Sequence, residues 1–254
     1  MLESISSRGF IREVGEQEIV RRKKSDTLFI FGSGYSINDL TPKEIERIEK
    51  EDTLSFNWFI YQNLLRMDFH LIRELASDDC NPAVWSKEFQ LYAEILKKSP
   101  FYQKTIFILQ VALTGLRILA NQCLPESSES LFYYNAPKKT RYPNEEFRGG
   151  FGGLVHGPST LFDCINFGYL FGWKQIVLVG VDLYDRRYFW LKTDQTRQTD
   201  IQRGKTYQDR HNTAKEVLVW GKRWKKYCHK RETSLYVYNP RSLLTRVLPI
   251  FKFP

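Results

Sequence analysis

Cysteine, methionine and histidine are scarce, with four, two and four copies in 254 residues. The cysteines are Cys80, Cys123, Cys164 and Cys228, and none fall in Cys-x-x-Cys spacing. A zinc site is therefore not expected, and a reduced, cytoplasmic setting is. No apolar run approaches the roughly 20 residues that a membrane-spanning helix needs. Residues 1–10 lack the apolar segment of a signal peptide. The expectation is a protein inside the cell, soluble or peripherally bound at the inner membrane. The chain also lacks an Asp-x-Asp element, the usual holder of a divalent ion on a nucleotide sugar. No metal or other cofactor is expected. Acidic residues fall short of basic ones, 29 against 38, which leaves a net charge of +9.

That excess suits nucleic acid, an anionic membrane surface or an anionic nucleotide substrate. The basic residues form several clusters rather than one stripe: 21–24, 138–139, 186–187 and 222–226. No nucleic-acid-binding motif accompanies them, so nucleic acid is not the expected partner. Hydrophobic residues make up 42% of the chain, enough for a sizeable core. The length fits one large domain, or one domain with a lid.

Residues 1–26 are polar and read as a leader or short helix. The catalytic domain is expected over 27–254. Thr27–Phe31 reads as the first strand and runs into Gly32-Ser33-Gly34, a turn opening a helix. Thr41, Pro42 and Glu44 supply the cap, first-turn proline and acid of another helix. Strands are expected at 54–59, 67–72, 104–111 and 131–134, and at 176–179 within the segment 172–184. A final strand is expected at 234–238. Helices are expected at 84–98, 159–171 and 213–229. Strands alternating with helices predict βαβ units and a parallel sheet, hence an α/β fold with a single Rossmann-like domain. Residues 185–211 are polar and aperiodic, and a loop of that length suggests a small lid.

In such sheets ligands bind beyond the carboxyl ends of the strands. Gly32 and Gly34 would let backbone approach a phosphate, or make a tight structural turn. The sequence completes neither Gly-x-Gly-x-x-Gly, since position 37 is Ile, nor a Walker loop. Asn57 could read a base or sugar, or cap a loop. Ser159 and Thr160 could donate to an anion or cap a helix. Gly180 and Asp182 end the 176–179 strand. Tyr184 and Tyr188 could donate to a leaving phosphate, or pack at an edge. His156 and His211 are candidate bases, each with a purely structural alternative.

In this order these residues resemble the bacterial sialyltransferases of glycosyltransferase family 42. The carrying stretches are Gly-Ser-Gly-x-Ser, Asn57, the Ser159-Thr160 helix and Gly-Trp-Lys-Gln-Ile-Val-Leu-Val-Gly-Val-Asp-Leu-Tyr at 172–184. His211-Asn-Thr and Leu-Tyr-Val-Tyr-Asn-Pro-Arg-Ser-Leu-Leu at 235–244 follow. The resemblance implies a Rossmann-like, GT-A-like domain and metal-independent, inverting transfer from a CMP-activated sugar acid to a glycan or glycolipid hydroxyl. Ser33 would lie near donor phosphate and ribose, Asn57 on the nucleotide and Thr160 near the sugar carboxylate. Tyr184 and Tyr188 would hold the leaving phosphate, and His211 would deprotonate the acceptor. Arg73 or its neighbour Glu74 stands where the family has a second nucleotide-binding asparagine. Gly-Ser-Gly-Tyr-Ser replaces Gly-Asn-Gly-Pro-Ser; with such departures the resemblance implies a relative whose donor or acceptor differs, CMP-Kdo or another CMP-nonulosonate being the candidate donors. The family also implies a homo-oligomer. An alternative class, the motility accessory factors and hydroxymethylpterin pyrophosphokinase-like proteins, shares the glycine turn and a Gly-x-Asp strand end but would need Mg²⁺.

Overall fold

The computed structural model describes residues 12–73, 82–110, 124–125, 128–135, 153–184, 187–191 and 207–253. In chain order the described strands are β1 (Arg12–Glu13), β2 (Thr27–Phe31), β3 (Asp52–Phe56), β4 (Phe69–Ile72), β5 (Ile106–Gln110), β6 (Glu129–Asn135), β7 (Gly153–Leu154), β8 (Gln175–Val179) and β9 (Ser234–Val237). The described helices are α1 (Glu16–Arg21), α2 (Pro42–Ile48), α3 (Pro82–Lys98), α4 (Thr160–Leu170) and α5 (Tyr207–Cys228). Short 3₁₀ turns at Tyr35–Asp39 and Asn57–Tyr61 follow β2 and β3.

The strands form one sheet in the order β1-β6-β5-β4-β3-β2-β8-β9, with β7 added beside β6. Every pairing between these strands is parallel. A parallel sheet must be covered on both faces, and its strands read accordingly. Leu28 and Ile30 of β2 point to one core, while Phe29 and Phe31 point to the other. Ile176 and Leu178 against Val177 and Val179 repeat the division in β8. The first core includes side chains of α1, α4 and α5; the second includes α2, α3 and the C-terminal Phe251 and Phe253. The molecule is thus a single α/β domain with a parallel sheet, as expected.

Several expected boundaries move for physical reasons. The strand expected at 54–59 stops at Phe56, because Asn57 adopts a left-handed conformation (φ 49°) and starts the 3₁₀ turn. Asparagine tolerates that conformation better than most residues. The described part of the expected leader joins the sheet: β1 pairs with β6, and Val14 and Ile19 are buried. The last long helix begins at Tyr207, so it takes in residues 207–211 of the expected lid. Within 185–206, the described residues are 187–191. At α2 the reading holds in detail: the Thr41 hydroxyl accepts from the Glu44 amide, and Glu44 reaches back to the Thr41 amide.

Candidate active site

Chain direction reverses beside β2. The chain moves from β2 through β3, β4, β5 and β6 to one side, then places β8 and β9 on the other. The crevice at the carboxyl ends of β2 and β8 is the topological switch point, where open α/β sheets take ligands. The glycine turn lies there. The Gly32 amide donates to the Val179 carbonyl and the Gly34 amide to the Gly180 carbonyl, both at 2.8 Å. These two amides are already paired within the protein, as the tight-turn alternative for Gly32 and Gly34 requires. A Cβ on Gly34 would lie 2.6 Å from both the Gly180 carbonyl and the Asp182 carboxylate. Gly180 itself sits at φ +64°, where a side chain would also strike Ile37. The two strand ends approach this closely because both turns are glycine.

Asp182 fastens the arrangement. It is 3% exposed, and its carboxylate accepts from the Ser36 amide (2.9 Å), the Ser36 hydroxyl (2.5 Å) and the Asn239 side-chain amide (2.9 Å). Its backbone carbonyl accepts from the Leu243 amide. A buried charge needs such partners. Whatever it does toward a substrate, the Asp182 carboxylate buckles the glycine turn to the segment after β9.

The segment 187–191 folds back onto the turn. Tyr188 forms an antiparallel bridge with Gly34, and the Phe189 amide donates to the Ser33 carbonyl. The Arg187 guanidinium lies 3.9 Å over the Tyr35 ring. Tyr188 stacks on Trp190 (4.6 Å), Trp190 on Tyr61 (5.0 Å) and Tyr61 on Trp58 (5.8 Å). Sequence reasoning set Ser33 and Tyr188 near the donor phosphate only through the resemblance; the structure brings their backbones together. It missed the ring stack, for which the Trp58, Tyr61 and Trp190 aromatics were the available signal. Tyr184 is half-buried just before this segment.

A second group occupies the carboxyl edge beyond β3 and β4. The Asn57 side-chain amide donates to the Thr160 hydroxyl at 3.2 Å. Thr160 opens α4, with Ser159 as its N-cap residue; neither hydroxyl caps the helix, contrary to the capping reading. Asp163, in the first turn of α4, is fully buried; one carboxylate oxygen lies 2.6 Å from His156 Nδ1 and 3.5 Å from the Arg73 guanidinium. Burial pushes the Asp163 carboxyl up to about 8, and the nearby Arg73 charge opposes that rise. The other Asp163 oxygen, Asn57 Oδ1 and Ser159 Oγ are buried without a partner. Buried polar atoms are normally satisfied, so such a group marks a place for a polar ligand or water. Asp163 was missed, although one acid inside the apolar run Leu161–Phe167 was a legible signal.

Behind Asn57, Ser55 hydrogen-bonds His70 Nδ1 at 2.7 Å, and His70 Nε2 contacts the Tyr92 hydroxyl, which donates to the Asn57 carbonyl. Full burial lowers His70 to about 3, so the ring is neutral and structural. His211 lies on α5; its side chain falls outside the described residues.

No family model matches the chain, and no curated protein matches it. Among solved structures, the monofunctional alpha-2,3-sialyltransferase Cst-I from Campylobacter jejuni is similar, at 14% identity and a TM-score of 0.47. The likeness covers 91% of this chain and 84% of that one. At that score it decides nothing about activity. The fold class stands on the sheet itself.

Proposed function

We propose that the protein is a glycosyltransferase that moves a sialic acid or related nonulosonate, Kdo included, from a CMP-linked donor to a glycan or glycolipid hydroxyl. The observation that carries this reading is the backbone bridging that brings Tyr188 and Ser33 together at the switch point; Asn57 and Thr160, hydrogen-bonded to each other, lie at the carboxyl end of the neighbouring strand β3. The quoted sequence motifs, especially 172–184 and 235–244, supply the donor class. In this reading the acceptor oxygen bonds to the anomeric carbon as the bond to CMP breaks. The phosphate leaves as an anion steadied by the Tyr184 and Tyr188 hydroxyls, and the acceptor proton passes to His211. Hydroxyl donors fixed in advance would stabilise the leaving charge without a metal.

Calorimetry tests the reading: CMP against UMP, GMP and ATP, all with EDTA. Selective CMP binding supports it. ATP binding that requires Mg²⁺ would instead favour the pyrophosphokinase-like class. With a donor in hand, His211→Ala should lower turnover roughly 10²-fold or more, the usual effect of losing a general base.

Peripheral membrane attachment belongs to the same proposal. No helix among the described residues is long and apolar enough to cross a membrane. A groove of about 680 Å³ beside α5 and β9 is lined by Lys222, Lys225, Lys226, His229 and Arg246, with Leu235 and Val247 among its apolar residues. Salt-sensitive sedimentation with anionic liposomes, absent with neutral ones, is the expected outcome.

A further inference from the structure

A relay of three buried side chains stands behind Asn57, and the proposed transfer gives it no task. Ser55 lies on β3, His70 on β4 and Tyr92 on α3. Ser55 Oγ is 2.7 Å from His70 Nδ1, His70 Nε2 contacts the Tyr92 hydroxyl, and that hydroxyl donates to the Asn57 carbonyl at 2.9 Å. Hydrogen counting gives the relay one direction. A carbonyl only accepts, so the single phenol proton goes to Asn57. The phenol oxygen then accepts from Nε2–H. The neutral ring is left with a bare Nδ1, which accepts from the Ser55 hydroxyl. Three side chains from three elements thus point one donor at one backbone atom.

We infer that the relay positions Asn57 for the nucleotide: Tyr92, aligned by His70 and Ser55, holds the Asn57 backbone in its left-handed turn and so aims its side chain. The inference rests on the transferase reading, in which Asn57 contacts the donor nucleotide. Asn57 stands at φ 49°, a region that asparagine tolerates but does not prefer. Such a conformation persists where the surroundings over-determine it, and residues of this kind gather at ligand sites. Here it ends β3, opens the 3₁₀ turn and carries the Asn57 amide to the Thr160 hydroxyl of α4, 3.2 Å away. That contact uses Nδ2 and leaves Oδ1 as an acceptor without a partner. A second buried phenol grips the same turn: the Tyr102 hydroxyl donates to the Phe59 carbonyl at 3.2 Å. Trp58, the next residue, packs edge-to-face with Tyr92 (5.4 Å, 73°). An apolar side chain at position 70 would fill the same core. An imidazole bonded through both nitrogens also sets where the phenol points. Tyr92 and His70 are therefore positioning residues, acting on the ligand through Asn57.

The test is calorimetric titration with CMP of the wild-type chain, Tyr92→Phe, Asn57→Ala, the double variant and Thr105→Val. The backbone carbon chemical shifts of Asn57 are read on the ligand-free wild type and Tyr92→Phe. Tyr92→Phe and Asn57→Ala should each weaken CMP binding about three- to tenfold, the worth of one hydrogen bond. The double variant should bind no more weakly than Asn57→Ala alone, because Tyr92 acts through Asn57. His70→Phe, which removes the relay but fills the core, should match Tyr92→Phe. The Asn57 shifts should leave the left-handed range in Tyr92→Phe. Thr105→Val loses a buried hydrogen bond of 2.7 Å to the Met67 carbonyl at the amino end of β5, far from the crevice, and should keep wild-type affinity. Wild-type affinity or unmoved Asn57 shifts in Tyr92→Phe would overturn the inference while leaving the transferase reading intact. So would a double variant weaker than Asn57→Ala, or an equal loss in Thr105→Val. A wild-type chain that binds no CMP overturns the transferase reading, and the Asn57 shifts then decide by themselves whether Tyr92 holds the turn.

Discussion

Replacing Asp182 tests whether the glycine turn is held by a buckle or by ligand. Its carboxylate is buried and accepts three hydrogen bonds, two from Ser36 and one from Asn239. Asp182→Ala would orphan three buried donors. Each unsatisfied group costs about 1–3 kcal/mol, so a loss of about 3–6 kcal/mol is expected after partial relaxation. Asp182→Asn keeps the volume but substitutes an NH₂ for one oxygen. If that NH₂ faces the Ser36 amide, two donors confront each other. If it faces Asn239, that side chain must turn, yet its own oxygen already accepts from the Arg241 amide. A cost of about 2–3 kcal/mol follows, mostly from one unmade bond. Urea unfolding followed by tryptophan fluorescence reads both variants, with stability and CMP affinity measured on the same samples. The buckle predicts that stability falls in both. Stability within about 0.5 kcal/mol of wild type, the range of ordinary surface substitutions, together with lost CMP affinity, would refute it and make Asp182 a ligand contact.

Gly34→Ala puts a methyl 2.6 Å from the Gly180 carbonyl and the Asp182 carboxylate, neither able to yield easily; a loss of about 1–3 kcal/mol in the same urea assay is expected. Tyr188→Phe removes a hydroxyl but keeps the ring stacked on Trp190, so the melting temperature should hold while transfer falls at least tenfold in a CMP-release assay. His70 is lowered to about 3 from 6.5 by burial, so the unfolded chain binds its proton first as pH falls. Its contribution is complete above pH 6.5 and is lost on acidification toward 3, by about 1.4 kcal/mol per pH unit. Urea midpoints across that range should decline more steeply in wild type than in His70→Phe.

The sheet was legible because burial on both faces leaves continuous apolar runs. Thr27–Phe31 and the 176–179 run each emerged as strands. The cap of α2 was legible because Thr41, Pro42 and Glu44 act within one turn of chain. What escaped depends on distant partners. Asp182 looks the same in sequence whether it faces a ligand or Ser36, which lies 146 positions away. Ser159 and Thr160 stand where caps stand, yet one hydroxyl is unpartnered and the other accepts from Asn57. The early strand β1 was hidden because an edge strand of two exposed charged residues carries no apolar period.

The buckle through Asp182 also bears on how the molecule is made. Asn239 and Leu243 hold the crevice from the far end of the sequence. Phe251 and Phe253 press on Phe29 of the strand that leads into the glycine turn. While residues 239–253 are still inside the ribosome's exit tunnel, β2 and β8 can pair but Asp182 lacks its last donors. The crevice at the ends of β2 and β8 should therefore latch only after residues 239–243 have emerged to join it. A stalled nascent chain ending near residue 235 would carry most of the sheet with its glycine turn still unlatched.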